Sequence, residues 1–431
     1  MSIDSRTIKK NNLFLALQGK KYSGNAFINV AIKKGAGCII TNSSIKRKNK
    51  KIIRVKNPLL FLNRFANLKR KYTLAKIIAV TGSAGKTSLN NLISDLLLNF
   101  GKTYSSPKSF NNHLGVPISI SNLNVNDKFG VFEIGMSKAR EIKNLTKLVK
   151  PHIGIITNIG EAHLENFKNI KGIAEAKSEI IEKIDDDGTI ILNRDDKFFN
   201  YLFKKAKSYK LKIYTFGTHK KSDVRLIKII NKNNKSKIFV KINNNEKIVF
   251  FIRDLNIYNV LASLALLKEI NVSLKKIKSK YEDFESSDGR GKKHKIFRYK
   301  KKFNLIDESY NANPLSVKNA INKLNLVKKE KFKKYLILGD MLELGSKSKR
   351  YHEEISKVIN NSDIDKVFIK GKKTIFTYKY LNKNKRGNML QNNEDIDLSL
   401  SKIISNNDYL MIKGSNATGL NNFCKKLIRG V

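Results

Sequence analysis

Apolar positions in this chain fall into two alternating kinds of segment, short runs of β-branched residues and longer stretches with a helical repeat. LFLAL (13–17) and CIITN (38–42) are predicted strands, with FINVAIKKG (27–35) between them as a short helix closed by Gly35. NPLLFLNRFANLKRKY (57–72) follows as an amphipathic helix in which Leu60, Arg64, Leu68 and Tyr72 recur turn by turn. Residues 1–75 therefore read as a small α/β domain.

A second domain, 76–295, opens with KIIAVTGSAGKTS (76–88), an apolar strand running into a glycine turn and then the helical pattern LNNLISDLLLNF (89–100). GVFEIGM (130–136) and IGIITNIG (153–160) are further strands, separated by helical stretches such as AREIKNLTKLV (139–149). Strands alternating with helices predict a parallel sheet covered on both faces. Between 224 and 252, three apolar runs divided by the Asn/Lys clusters NKNNKSK and NNNEK predict antiparallel hairpins with polar turns, followed by the helix YNVLASLALLKEI (258–270). After the polar segment SSDGRGKKHK (286–295), a third domain, 296–431, repeats the rhythm with FNLID, YLILGD, KVFIKG and YLMIKGS. No G-x-G-x-x-G follows its first strand, so dinucleotide binding is not indicated.

Composition adds limits. A 431-residue chain with 41% hydrophobic residues, 23 Phe and 15 Tyr can build several cores, which excludes wholesale disorder. No run approaches the roughly 18 apolar residues of a membrane span, and MSIDSRTIKKNN lacks the apolar core of a signal peptide. Cys38 and Cys424 stand far apart, so neither a disulfide framework nor a zinc site is indicated. A monomeric cytoplasmic protein is the expectation. The net charge of +50 (86 basic against 36 acidic residues) raises nucleic acid as a partner. Yet the excess is mostly lysine, spread through every region (46–51, 328–334, 425–426) beside abundant Asn and Ile. AT-rich codons account for such a pattern without a polyanion, and no nucleic-acid partner is expected.

The strongest chemical signal is Gly82-Ser83-Ala84-Gly85-Lys86-Thr87-Ser88 between strand and helix. Phosphates need backbone N–H groups aimed at one point, glycines where a side chain would obstruct, a lysine for charge and a hydroxyl for Mg²⁺. All are present, in a loop two residues shorter than G-x-x-x-x-G-K-[ST]. Glu133 ends one apolar strand and His163 follows the next, both at carboxyl ends beside the loop, where open parallel sheets bind ligands. Thr87, Glu133 and His163 could together hold Mg²⁺, or Glu133 and His163 could be a solvated strand end and a structural imidazole. Lys177 shares a face with Ile173, Ile180, Ile181 and Ile184. It either snorkels to water or is desolvated, loses proton affinity and becomes a nucleophile toward CO₂. Asp307, at the end of the strand FNLI, leads into ESYNANP (308–314), whose carboxylate and Asn side chains could bind ribose, peptide or base, or form an ordinary turn. Arg290, in DGRG, is a cation suited to phosphate.

In order, TGSAGKTS, SFNNHLGVP (109–117), VFEIGM, NIGEAHLENF (158–167), EAKSEI, DESYNANP and GDMLELG (339–345) resemble the motifs of the Mur ligase family. The opening DSRTIKKNNLFLALQG resembles its first domain, so the likeness spans nearly the whole chain. It implies three α/β domains: a central P-loop parallel-sheet ATPase domain flanked by a small N-terminal α/β domain and a C-terminal Rossmann-like domain. YNANP with GDMLELG resembles the branch that joins D-alanyl-D-alanine to UDP-N-acetylmuramoyl-tripeptide using ATP and Mg²⁺. Other Mur ligases and folylpolyglutamate synthase carry different motifs there; together with a basic RNA-associated ATPase, they are the alternatives.

The resemblance also implies roles. Lys86 holds ATP phosphates, Thr87, Glu133 and His163 the metal, and Lys177 is carbamylated. Asn259 contacts adenine, Arg290 a phosphate and Asp307 the ribose. Ser5, Arg6, Asn111 and Asn112 contact the UDP-linked substrate, while Asn311, Asn313, Lys413 and Ser415 face the peptide substrates. Ser23-Gly24-Asn25 and Lys413-Gly414-Ser415-Asn416 depart from the family's DGH and KGSR-like motifs.

Overall fold

Three sheets organise the computed structural model, which describes residues 1–19, 22–44, 49–232, 235–243, 246–327 and 331–430. Parts of the lysine runs at 46–51 and 328–334, and the centres of both Asn-rich turns (233–234 and 244–245), lie outside the described residues.

The first sheet pairs Leu13–Leu15, Cys38–Thr41 and Ile52–Arg54 in parallel; Ile52–Arg54, three residues with lysines near both ends, is too short to show in the pattern. Asn57 caps the helix Pro58–Tyr72 by accepting from the Leu60 N–H, and Pro58 occupies its first turn. This helix lies against Gly115–Ser121, and Leu62 joins Leu15, Ile40 and Ile118 in one apolar cluster. The first unit is thereby seated on the segment that follows SFNNHLG.

The second sheet has nine strands, in the order Glu246–Ile252, Lys235–Ile242, Val224–Lys232, Lys212–Gly217, Thr189–Asn193, Ile153–Ile156, Lys76–Thr81, Phe129–Glu133 and Thr103–Ser105. The first three form the expected antiparallel hairpins and extend a parallel core. The pattern missed Thr103–Ser105, which is short, Lys212–Gly217, which polar residues interrupt, and Thr189–Asn193, although its TIILN run is apolar at its centre and buried throughout. Lys76–Thr81 lies between Phe129–Glu133 and Ile153–Ile156. The connection leaving it runs to Thr103–Ser105, and the one leaving Ile153–Ile156 runs the other way to Thr189–Asn193, which opens a crevice at the carboxyl ends of these two strands. Both sheet faces are covered, giving two cores that include Ile77, Ala79 and Phe132 on one side and Ile78, Val80 and Leu92 on the other.

The third sheet runs Lys292–Arg298, Lys301–Glu308, Tyr409–Lys413, Lys334–Gly339, Lys366–Lys370 and Arg386–Met389, parallel except for the first pair. Its first strand begins inside the polar segment 286–295, because KKHKIFR alternates along an edge where lysine stems can stay wet. Among the described residues no helix is long and apolar enough to cross a membrane.

Candidate active site

Strand-exit loops of the second and third sheets meet around one cavity of about 1000 Å³. Lys86, Thr87, Glu133, His163, Arg290 and Lys413 all contribute to its wall.

The glycine loop takes its shape from positions that no side chain could fill. Gly82 has φ 147°, and a Cβ there would sit 1.9 Å from Thr157 Oγ1. Gly85 (φ 82°) packs on Asn259, whose Nδ2 donates to the Gly85 carbonyl at 3.4 Å. Asn259 thus holds the loop from beneath while also lining the cavity.

Ser83 and Ala84, expected to offer backbone amides to phosphate, have those amides taken. The Ser83 N–H donates to Asn158 O at 3.0 Å and the Ala84 N–H to Asn158 Oδ1 at 2.9 Å. The donors left for an anion are the Gly85 amide and the first amides of the helix Lys86–Leu97, those of Lys86, Thr87 and Ser88, which have no carbonyl partner within the helix. Lys86 Nζ folds back on Gly82 O at 2.8 Å. Burial pushes its pKa below the ordinary lysine value, against the pull of Glu133 and Glu343.

Glu133 is 1% exposed. Thr87 Oγ1 donates to its Oε2 at 2.7 Å and Asn111 Nδ2 to its Oε1 at 2.6 Å. No ion-pair partner for this buried carboxylate is present among the described residues. A buried anion beside a hydroxyl, both facing a cavity, is a hard-oxygen arrangement that fits Mg²⁺, which keeps few protein ligands. Among the described residues no three His, Cys, Asp or Glu side chains cluster as a metal cage.

His163, in the left-handed conformation (φ 59°), stands apart from that pair: its Nδ1 lies 2.6 Å from Glu343 Oε2 of the third domain. Any metal contact is therefore left to its Nε2. Glu343 belongs to the GDMLELG motif, but nothing in the sequence assigned its carboxylate a task.

Lys177 is 1% exposed, among Ile173, Ile180 and Ile181. The helix ends at Ser178, and the isoleucines continue through a 3₁₀ turn, Ile181–Lys183. Burial, and secondarily the charge of Lys86, hold its pKa well below the ordinary lysine value. Its ammonium has no hydrogen-bonding side chain or carbonyl among the described residues. The snorkelling alternative does not describe it.

Arg290 stacks over Tyr310, 4.1 Å from the ring centroid, and donates to Ser109 Oγ at 3.3 Å. Asp307, expected at the ribose, does not line the cavity, and its carboxylate is already engaged. It is 1% exposed; its Oδ2 accepts the Gly289 N–H at 2.8 Å, and its Oδ1 accepts from the Ser309 N–H at 3.1 Å and Oγ at 2.5 Å. It fixes the DGRG loop.

Asn313 lies on the cavity wall and is also engaged by the backbone. It caps the helix Pro314–Asn325 and its Nδ2 donates to Ser83 O at 3.1 Å, tying the third domain to the glycine loop. Ser415 is 4% exposed and holds two loops, accepting from Leu342 N–H at 3.0 Å and donating to Ala312 O at 3.3 Å. Lys413 donates to Asn311 O at 2.5 Å and lies 3.5 Å from Glu308 Oε2. Asn311 and Asn112 remain on the wall with side-chain amides available. Ser5 is buried and Arg6 is exposed, paired with Asp4 at 2.8 Å; neither reaches the cavity wall.

Comparison with known proteins agrees with this architecture. Residues 1–70 match the Mur ligase family catalytic domain, 80–267 the Mur ligase middle domain and 295–416 the Mur ligase glutamate ligase domain. The UDP-N-acetylmuramoyl-tripeptide–D-alanyl-D-alanine ligase of Rickettsia prowazekii is 33% identical, over 97% of this chain and 93% of its own. That of Buchnera aphidicola is 32% identical, over 100% of this chain and 92% of its own. The solved structure of MurF from Acinetobacter baumannii superposes with a TM-score of 0.85 at 26% identity, covering 99% of this chain and 92% of that one. The chain belongs to the Mur ligase family.

Proposed function

We infer that this chain is an ATP-dependent ligase that joins D-alanyl-D-alanine to UDP-N-acetylmuramoyl-tripeptide, an amide-forming step of peptidoglycan precursor synthesis. The observation that carries the reading is the juxtaposition, on one cavity wall, of the glycine loop, the Thr87–Glu133 pair and the Arg290 cation. Full-length likeness to ligases of this name supplies the substrates.

The amides of Gly85, Lys86, Thr87 and Ser88 and the Lys86 ammonium receive the phosphate chain of ATP. Thr87 and Glu133 would hold Mg²⁺, with His163 as a further ligand through Nε2; the metal supplies charge neutralisation on the phosphates. Arg290, stiffened by Tyr310 and Ser109, meets the transferring phosphoryl group. Phosphoryl transfer to the tripeptide carboxylate gives an acyl phosphate, which the dipeptide amine attacks with loss of phosphate. Positioning and electrostatics carry the rate, as in other phosphoryl transfers.

Lys177 acts as a carbamate. Its desolvated, partnerless amine is the form that reacts with CO₂, and the resulting anion sits within electrostatic reach of Lys86. Asn111 and Asn112, with Ser5 and Arg6, serve the UDP-linked substrate, Asn111 while also holding Glu133, and Asn311 presents its amide to the peptide. One chain completes the cavity, in keeping with a monomer, and the chain works in the cytoplasm, where ATP is available.

Mass spectrometry of the purified protein with ATP, Mg²⁺, D-alanyl-D-alanine and tripeptide substrates carrying either lysine or diaminopimelate tests this. Condensation product from at least one tripeptide is expected. ATP hydrolysis stimulated by RNA, without any product, would overturn it.

A further inference from the structure

The loop from Asp340 to Gly345 is held with unusual thoroughness for an exposed strand exit. Asp340 Oδ1 accepts the N–H groups of Lys373 and Thr374 at 3.0 and 2.8 Å. The Met341 N–H donates to His352 Nε2 at 3.1 Å, and the Leu342 N–H to Ser415 Oγ at 3.0 Å. Three consecutive residues are thus anchored to three different elements of the third domain. The next residue, Glu343, adopts φ 64°, a left-handed conformation that a glutamate enters only when its surroundings impose it.

Facing it across the domain boundary is His163, the second non-glycine residue with positive φ in this contact. The backbone closes around the pair. The Glu165 N–H donates to Glu343 O at 3.2 Å, Lys347 Nζ donates to Lys168 O at 3.0 Å, and a Cβ on Gly345 would stand 3.1 Å from Glu165 Cα. The two side chains meet at 2.6 Å between His163 Nδ1 and Glu343 Oε2, with the carboxylate off the line of the ring N–H, and Nδ1 has no other partner among the described residues.

We propose that Glu343 is a positioning residue: when the third domain docks on the second, it takes the His163 Nδ1 and turns Nε2 toward the cavity. The inference rests on the functional reading above. A carboxylate on one ring nitrogen fixes both the tautomer and the orientation of an imidazole whose other nitrogen works. Because Glu343 comes from a different domain, the ring is set only in the docked arrangement. Site assembly is coupled to domain docking through one contact.

The test uses the full chain with Glu343→Ala, the isosteric Glu343→Gln, His163→Asn and the double variant Glu343→Ala/His163→Asn, each checked for a native thermal melt. Nitrogen-resolved NMR of the His163 ring, without nucleotide or metal, should show one tautomer in the parent and a mixture in Glu343→Ala. Ligation by Glu343→Ala should lose roughly 10–100-fold in kcat, as losses of such orienting partners do, with the ATP KM moving less than about threefold. Glu343→Gln should recover part of the loss, and the double variant should be no worse than His163→Asn. An unchanged His163 ring, an unchanged kcat, or losses that multiply in the double variant would overturn the proposal. If the parent chain makes no ligation product, the functional reading fails on its own, and the ring measurement still decides the role of Glu343.

Discussion

In the second sheet, the strand ending at Glu133 delivers a buried carboxylate to the cavity; in the third, the strand ending in DE spends its buried Asp307 on a loop. The two sheets share a parallel core and meet at the same cavity, yet they use costly buried polar groups differently. Glu133, Thr87 and Lys177 are buried where a ligand or a modification can complete them. Asp307, Asn313, Ser415 and His352 are buried and completed already, by backbone amides and carbonyls. Burial alone does not mark a reacting group: Glu133 and Thr87 bond to each other and still face the cavity, whereas Lys177 is buried with no hydrogen-bonding partner among the described residues.

Substitutions on each side should separate these classes. The largest effect belongs to Lys86→Ala, which removes the main cation at the helix N-terminus. Ligation should fall by roughly 10²–10³-fold or more with a native melt, and near-normal product formation would show that the loop does not hold phosphate. Lys177→Ala comes next, at roughly 10²-fold. Acetate or formate should restore part of the rate by replacing the carbamate anion, while chloride at equal ionic strength should not. Full activity of the alanine variant would place Lys177 among the completed groups.

Asp307→Ala strips the acceptor from Gly289 and Ser309 and loosens the loop that carries Arg290. A loss of about tenfold in kcat/KM is expected, along with stability lowered by about 1–3 kcal/mol in a denaturant melt. A raised ATP KM with unchanged stability would instead restore the direct ribose contact.

The smallest effect is a pH slope. His352 is fully buried, and donation from Met341 N–H to Nε2 leaves the proton on Nδ1, 2.8 Å from Ser348 O. Burial lowers its pKa from the ordinary 6.5, despite the nearby Asp340. The unfolded chain therefore binds more protons just below 6.5, so the contribution is complete above that pH and shrinks as pH falls through it. Melts at pH 7.5 and 5.5 should show a steeper decline for the parent than for His352→Gln.

Much of this was legible in the residues, because periodicity and the glycine loop are local signals. The parallel pairing around Lys76–Thr81 follows from alternation, and Lys86, Thr87 and Glu133 lie beside one another at the strand ends. What stayed hidden depends on contacts far apart in sequence. Lys212–Gly217, where polar residues interrupt the apolar ones, is a sheet member through pairing with its neighbour. The loop contacts of Asp307, Asn313 and Ser415 were hidden because carboxylates, amides and hydroxyls serve ligands and loops equally well. Glu343 gave no sign, since its task exists only once two domains touch.

The bridges that hold this cavity have one further property. Asn313 reaches Ser83 O, Asn259 reaches Gly85 O, Asn158 binds the Ala84 amide and Lys347 reaches Lys168 O. In each, the group being gripped is peptide backbone, which every replacement except, for an N–H, proline would preserve. Half of each bridge is thereby immune to mutation, and only the gripping side chain must be kept. Such a scaffold tolerates heavy replacement of surface and loop residues while its catalytic geometry persists, which makes a lysine-laden sequence about one-third identical to its relatives compatible with an intact site.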